Sequence, residues 1–338
     1  MPKIIFGSQF LITVACVIVA TGLIRNSTAA ATKTSRASSN VVPIPAARVG
    51  YKNETYAGQF TQRSIDLNNT AASGFDWYPY RFYGTPTPSA ERFVLNSDGS
   101  ATLGNESLDA SLASAVPTKT PLRWAGIAFG GGGYFEATLR FDPGRTIRAN
   151  GKAWPSFWAL PIEHVFNLPQ VQWAGQPPEY VHFVELDFFE YDIWTSKPKN
   201  DYDGAIHEWY GIYKASCPGH NFCQASNGGH GINGPTNIIA TPMATDFRKD
   251  HKFGFLWVPA TKTSPGYAQY YFDGVATTDK VTWNLYEGQP PPPGVVPWTF
   301  GVMDSEHFAL IVGTGIDQPV TVSSVRVWQS STANNIRQ

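Results

Sequence analysis

The stretch Val181-His-Phe-Val-Glu-Leu-Asp-Phe-Phe-Glu-Tyr191 constrains this chain more than any other. It sets Glu185, Asp187 and Glu190 inside a run that otherwise has the composition of a buried strand. Taking a carboxylate out of water without a partner is costly, so such a grouping persists most readily where the charges do chemistry. Strand alternation places Glu185 and Asp187 on one face and Leu186 on the other. Continued unbroken, it would turn Glu190 to the face of Leu186 and Phe188, and leave Phe189 out among the acids. One extra residue near Phe188-Phe189, a β-bulge, corrects both faults: Glu190 rejoins Glu185 and Asp187 while the apolar side chains point inward. A solvated edge strand is the competing reading. The flanking Val181, Phe183, Val184, Leu186, Phe188 and Phe189 argue against it, because edge strands are more polar.

The same grammar runs through the rest of the sequence. From Gly50 onward, short strand-like runs are punctuated by Gly, Pro, Asn and Asp: Tyr80–Tyr83, Tyr134–Phe141, Val181–Trp194, His251–Val258, Gln269–Phe272 and Val320–Trp328. Asn96-Ser-Asp-Gly99 and Asp273-Gly274 have the chemistry of hairpin turns. Phe253, Phe255 and Trp257 share one strand face, as do Val325 and Val327. With 31 Gly, 26 Pro, 14% aromatic and only 15% charged residues, the composition suits turn-rich β structure better than helix. The expectation is an all-β sandwich of two antiparallel sheets, one domain over residues 50–330, with 331–338 as a tail. Pro290–Pro293 reads as a stiff surface loop.

Residues 1–30 read as a secretory signal: Lys3, an apolar stretch from Phe10 to Ile24, then small residues and a cleavage point near Ala29–Ala31. An uncleaved anchor over Ile4–Ile24 is the alternative. Residues 31–49, rich in Ser, Thr and Ala, read as a linker. The expected location is secreted or periplasmic, where Cys217 and Cys223 would form a disulfide closing a short loop. His220 lies between them, but the four-ligand spacing of a zinc site is missing, so no metal is assigned. The formal net charge of -1 gives no case for nucleic acid or an anionic membrane surface as partner. A monomer is the default expectation.

Cleaving a glycosidic bond takes one carboxylic acid to protonate the leaving oxygen and one carboxylate opposite it, roughly 5–5.5 Å apart in retaining enzymes. Glu185 and Glu190 on one face of a bent sheet could converge in that way. Asp187 between them can hydrogen-bond the nucleophile and keep the acid protonated by charge repulsion. Sugars also need stacking surfaces, and Trp154, Trp158, Trp173, Trp194, His207 and Trp209 lie close in sequence to the acidic strand. Each tryptophan has a core reading beside the cleft reading. His207 and Trp209 would share a face.

These residues resemble a known family. Glu185-Leu-Asp-Phe-Phe-Glu190 is similar to the bulged E-x-D-x-x-E signature of glycoside hydrolase family 16. Gly133-Tyr-Phe-Glu-Ala-Thr-Leu-Arg140, Ala153-Trp-Pro-Ser-Phe-Trp-Ala-Leu160, Phe253–Gly274 and Val322–Trp328 resemble that family's other strands, in order. The resemblance implies a concanavalin A-like β-jelly roll and endo-acting, retaining hydrolysis of a β-linked polysaccharide without a required cofactor. It implies Glu185 as nucleophile, Asp187 as assisting carboxylate and Glu190 as general acid/base, in a form closer to the laminarinase, agarase and carrageenase branches. Some members bind a structural calcium, whose ligands this sequence does not pin. The sequence departs from the pattern before Glu185, at Asp192-Ile-Trp194 and at Ser323, which leaves the sugar open. A non-catalytic, lectin-like module on the same fold is the second reading. It would have lost at least one acid. A lyase using Tyr210, His207 and Arg140 is the third, and no spacing recommends it.

Overall fold

The computed structural model describes residues 41–82, 87–105, 107–148, 152–191, 200–212, 226–231, 238–290 and 300–338. The proposed signal, most of the linker, Trp194, Cys217, His220 and Cys223 lie outside them. Among the described residues no helix is long and apolar enough to cross a membrane.

Two large antiparallel sheets pack face to face. In the back sheet, Gly133–Phe141 is flanked by His251–Val258 and Val320–Gln329, and Gly266–Phe272 lies beyond the former. In the other, the cleft sheet, the order runs Ser226–Gly231, Asp201–Ile212, Tyr180–Glu190, Ser156–Pro161, Phe308–Thr314, Ala110–Ala113 and Tyr78–Pro79. The acidic strand is thus central, bonded on both sides, and not an edge.

Alternation explains which side chains meet between the sheets. Phe253, Phe255, Trp257, Val325 and Val327, which share the expected faces, are fully buried in the main core. From the cleft sheet, Phe157, Val184, Leu186 and Val312 point into the same core. Their neighbours Trp158, Phe183 and Ile311 turn the other way and form an apolar floor on the outer face. Both turns behave as their residues dictate. Asp273 and Gly274 have φ of 48° and 79° and join Phe272 directly to Val275, a two-residue hairpin with both φ positive. Gly99, at φ 86°, closes the turn between Phe93–Leu95 and Ala101–Leu103.

Three boundaries differ from the sequence reading. Ile44–Arg48, inside the stretch read as linker, is a short helix whose Ala46 is buried against Tyr51, Tyr134 and Trp328. The stretch read as a tail contributes Ile336–Arg337, paired with Trp124–Ala128, and Gly126 and Gln338 exchange two backbone hydrogen bonds. Near Tyr80 the paired residues are Tyr78–Pro79, followed by one further backbone hydrogen bond from Tyr80 N–H to the Ser111 carbonyl.

Candidate active site

The bulge lies where polarity required it. Against Asp201–Ile212, Asp187 pairs with Ala205 and Glu190 with Asp203, so three steps on one strand match two on the other. Against Ser156–Pro161, Asp187 pairs with Trp158 and Phe189 with Phe157, again one residue extra. Phe188 and Phe189 are therefore both fully buried. Phe188 stacks on Phe135 and Phe255, and Phe189 packs on Phe253 at 4.0 Å between ring centres. The slip turns Glu190 to the outer face with Glu185, where both line a cleft of about 460 Å³ together with Trp154 and Trp158.

Each acid has its own surroundings. Trp209 donates its indole N–H to Glu185 Oε2 at 2.9 Å. Trp154, 40% exposed, donates its indole N–H to Glu190 Oε1 at 2.7 Å. Asp187 is buried, with His207 Nε2 at 3.1 Å from Oδ2. His207 Nδ1 is buried and has no hydrogen-bond partner among the described residues, so the proton belongs on Nε2, donating to the carboxylate. Tyr270, reaching across from the back sheet, places its hydroxyl 3.1 Å from the Asp187 carbonyl and 2.9 Å from that of Ala205. Gly204 makes room for it: a Cβ there would sit 2.4 Å from the Tyr270 ring.

Burial dominates the protonation of this group. It pushes the Asp187 carboxyl up to about 7. It also pushes Glu190 well above the ordinary carboxylate range, helped by the charges of Asp187 and Glu185 and opposed by the Trp154 N–H and by His207. Burial and the neighbouring Asp187 charge thus act in the same direction on Glu190, favouring its protonated form. A site of this kind can donate a proton from one carboxyl to an oxygen bound nearby and present a second as a nucleophile.

Of the sequence candidates, Glu185, Asp187, Glu190, Trp154, Trp158, His207 and Trp209 come together here. Trp173 does not: it is buried and packs edge-on against Tyr180. The lyase constellation is dispersed. Arg140 is in the back sheet, bonded to Asp250 at 2.7 Å, and Tyr210 turns toward His182, away from the face of Trp209. Sequence reasoning missed Arg81, Phe82, Asp109, Ser156 and Thr314, which also line the cleft. Arg81 and Arg92 both bind Asp109, Arg92 Nη1 at 2.9 Å from Oδ1. No local pattern marks Arg81, Phe82, Asp109 or Thr314, which only sheet order brings beside the acids, whereas Ser156 lies within the Trp154–Trp158 stretch already singled out. Among the described residues, no group of three or more His, Cys, Asp or Glu side chains is arranged to hold a metal ion.

Neither a protein-family model nor a curated protein matches this sequence. Among solved structures, an endo-1,3-beta-glucanase from Streptomyces sioyaensis is similar at 16% identity and a TM-score of 0.46, over 82% of this chain and 96% of that one. A kappa-carrageenase from Pseudoalteromonas carrageenovora, solved with an oligotetrasaccharide of kappa-carrageenan, is similar at 14% identity and a TM-score of 0.39, over 71% and 83%. The carbohydrate recognition domain of Emp46p is similar at 9% identity and a TM-score of 0.32, over 71% and 86%. Likeness this loose leaves the chemistry to be read from the residues themselves.

Proposed function

We propose that the chain is a secreted, endo-acting, retaining glycosidase of the family 16 type, cleaving a β-linked polysaccharide such as a β-glucan. One observation carries this reading: Glu185 and Glu190 line one cleft from either side of a bulge, and burial raises the Glu190 carboxyl well above the ordinary carboxylate range. Glu190 gives its proton to the glycosidic oxygen as that bond breaks, while a Glu185 oxygen bonds the anomeric carbon. Water then bonds the same carbon, returns a proton to Glu190 and frees Glu185. Asp187, held by His207, raises the affinity of Glu190 for its proton whenever it is itself ionised. This chemistry needs no cofactor.

An endo-acting enzyme needs room for sugar units on both sides of the scissile bond. What supports this is that the cleft extends from the acids past Trp158 and Ile311 to Phe82 and Arg81. Export through residues 1–30 and a Cys217–Cys223 disulfide belong to the same reading, since polysaccharides of this size stay outside the cell.

The test is release of reducing ends by the protein lacking its signal, beside Glu185→Gln, on β-1,3-glucan, mixed-linkage glucan, agarose, carrageenan and bacterial exopolysaccharide. Hydrolysis of one polymer, lost in the variant, supports the reading. Retention of a polymer without release of ends would favour the lectin-like module.

A further inference from the structure

The tryptophans beside the acids invite one interpretation, that of platforms for sugar rings. Trp209 is placed for something else. It is the cross-strand partner of Phe183, and the two rings stack at 6.3 Å and 13°. Phe183 in turn stacks on His164 at 3.6 Å and 10°, and burial lowers that histidine to about 4, so it is a neutral ring at the base of the stack. One indole face is therefore covered, and the N–H is directed at Glu185 Oε2, 2.9 Å away. Trp154 differs. It is 40% exposed at the mouth of the cleft and gives its N–H to the acid instead.

We propose that Trp209 is a positioning residue for Glu185: its stacked indole, donating to Oε2, orients the carboxylate in the cleft and holds it as an anion. The proposal rests on the glycosidase reading above. Indole nitrogen is a donor only, so it favours the form of Glu185 with the greater negative charge on oxygen. A Glu185 oxygen bonds the anomeric carbon as the glycosidic bond breaks and the Glu190 proton passes to the leaving oxygen. When water attacks that carbon and its proton goes to Glu190, the bond between the Glu185 oxygen and that carbon breaks, and the electron pair returns to a carboxylate the indole already stabilises. The donor is rigid, so no reorganisation is needed at either step.

Trp209→Phe removes the N–H and leaves a smaller aromatic ring on the same strand face, opposite Phe183. Hydrogen bonds to charged groups contribute enough that kcat should fall about 10- to 100-fold, with KM changed less than about twofold, since binding is untouched. The acid limb of kcat/KM should move up by about one pH unit. The charged and titratable groups facing Glu185 among the described residues are Asp187 and Glu190 on its own strand, His207 opposite, and Arg81 and Asp109 across the cleft. All remain in the variant.

A second measurement does not depend on turnover. The Glu185 carboxyl is titrated by carbon-13 NMR in glutamate-labelled protein, with Glu185→Gln supplying the assignment. Trp209→Phe should raise its midpoint, while Trp154→Phe should move Glu190 and leave Glu185 in place. An unmoved Glu185 midpoint in folded Trp209→Phe overturns the proposal whether or not the protein hydrolyses anything. A raised KM with an unmoved acid limb would also overturn it and make Trp209 a sugar platform. A shifted midpoint in a wild-type protein that cuts no polymer would instead count against the glycosidase reading alone.

Discussion

Glu190 carries the strongest prediction at the scale of single residues. As general acid it must be protonated, so activity is lost as pH rises through its pKa, which burial and the neighbouring acids place well above the ordinary carboxylate range. The basic limb of the pH–rate profile should therefore lie well above 4.5. Glu190→Gln should lose about 10²–10⁴-fold on polymer but keep far more activity on an aryl glycoside, whose leaving group needs no proton. Asp187 gives a stability prediction with a definite sign. Its folded-state value, about 7, lies above its unfolded value, so the fold favours the protonated form. That contribution is present at acid pH and lost as pH rises from about 4 through about 7. The melting temperature should fall over this window, and Asp187→Asn should flatten the slope. A melting temperature that rises across it in wild type would contradict the assignment.

The bulge is the element on which the site depends. Removing Phe189 alone would make alternation regular with Glu190 still on the outer face beside Glu185 and Asp187, so the expected effect is a loss of stability from one missing buried ring, read from the urea midpoint, more than a loss of the acid's position. The same logic made the element legible in the sequence: Glu190 and Phe189 stood on the wrong faces until one residue was added, so polarity located the bulge without coordinates. Gly204 was not legible in this way. Nothing local distinguishes it, and its role emerges only because Tyr270 arrives from the opposite sheet to reach the Asp187 and Ala205 carbonyls. Gly204→Ala should cost about 1–3 kcal/mol through overpacking, read from the urea midpoint. Tyr270→Phe should cost about 1 kcal/mol. For Trp173 the sequence leaned to the core reading without deciding it, because a tryptophan near an acidic strand has the same local signature in both places.

At the scale of the molecule, sheet order decides what faces the cleft. Arg81 and Asp109 are far from Glu185 in the chain, yet they share its cavity because Ala110–Ala113 and Phe308–Thr314 lie next in line across the sheet. Long-range pairing of this kind leaves no periodic trace in sequence. The ends of the domain were hidden for a related reason: a five-residue helix and a two-residue strand are too short to show a period. They matter to the fold even so. A protein starting at Gly50 loses the buried Ala46 and its neighbours and should be less stable by about 1–3 kcal/mol than one starting at Val41, as measured by urea denaturation.

The most direct test of the account is the stereochemistry of cleavage. Proton NMR of the anomeric region, recorded within the first minutes of digestion of whichever polymer is cut, reports the configuration of the new reducing end. Attack by Glu185 followed by water predicts the β-anomer first, with α growing in only by mutarotation. Early release of the α-anomer would contradict a covalent intermediate on Glu185 and require a water between the two carboxyls.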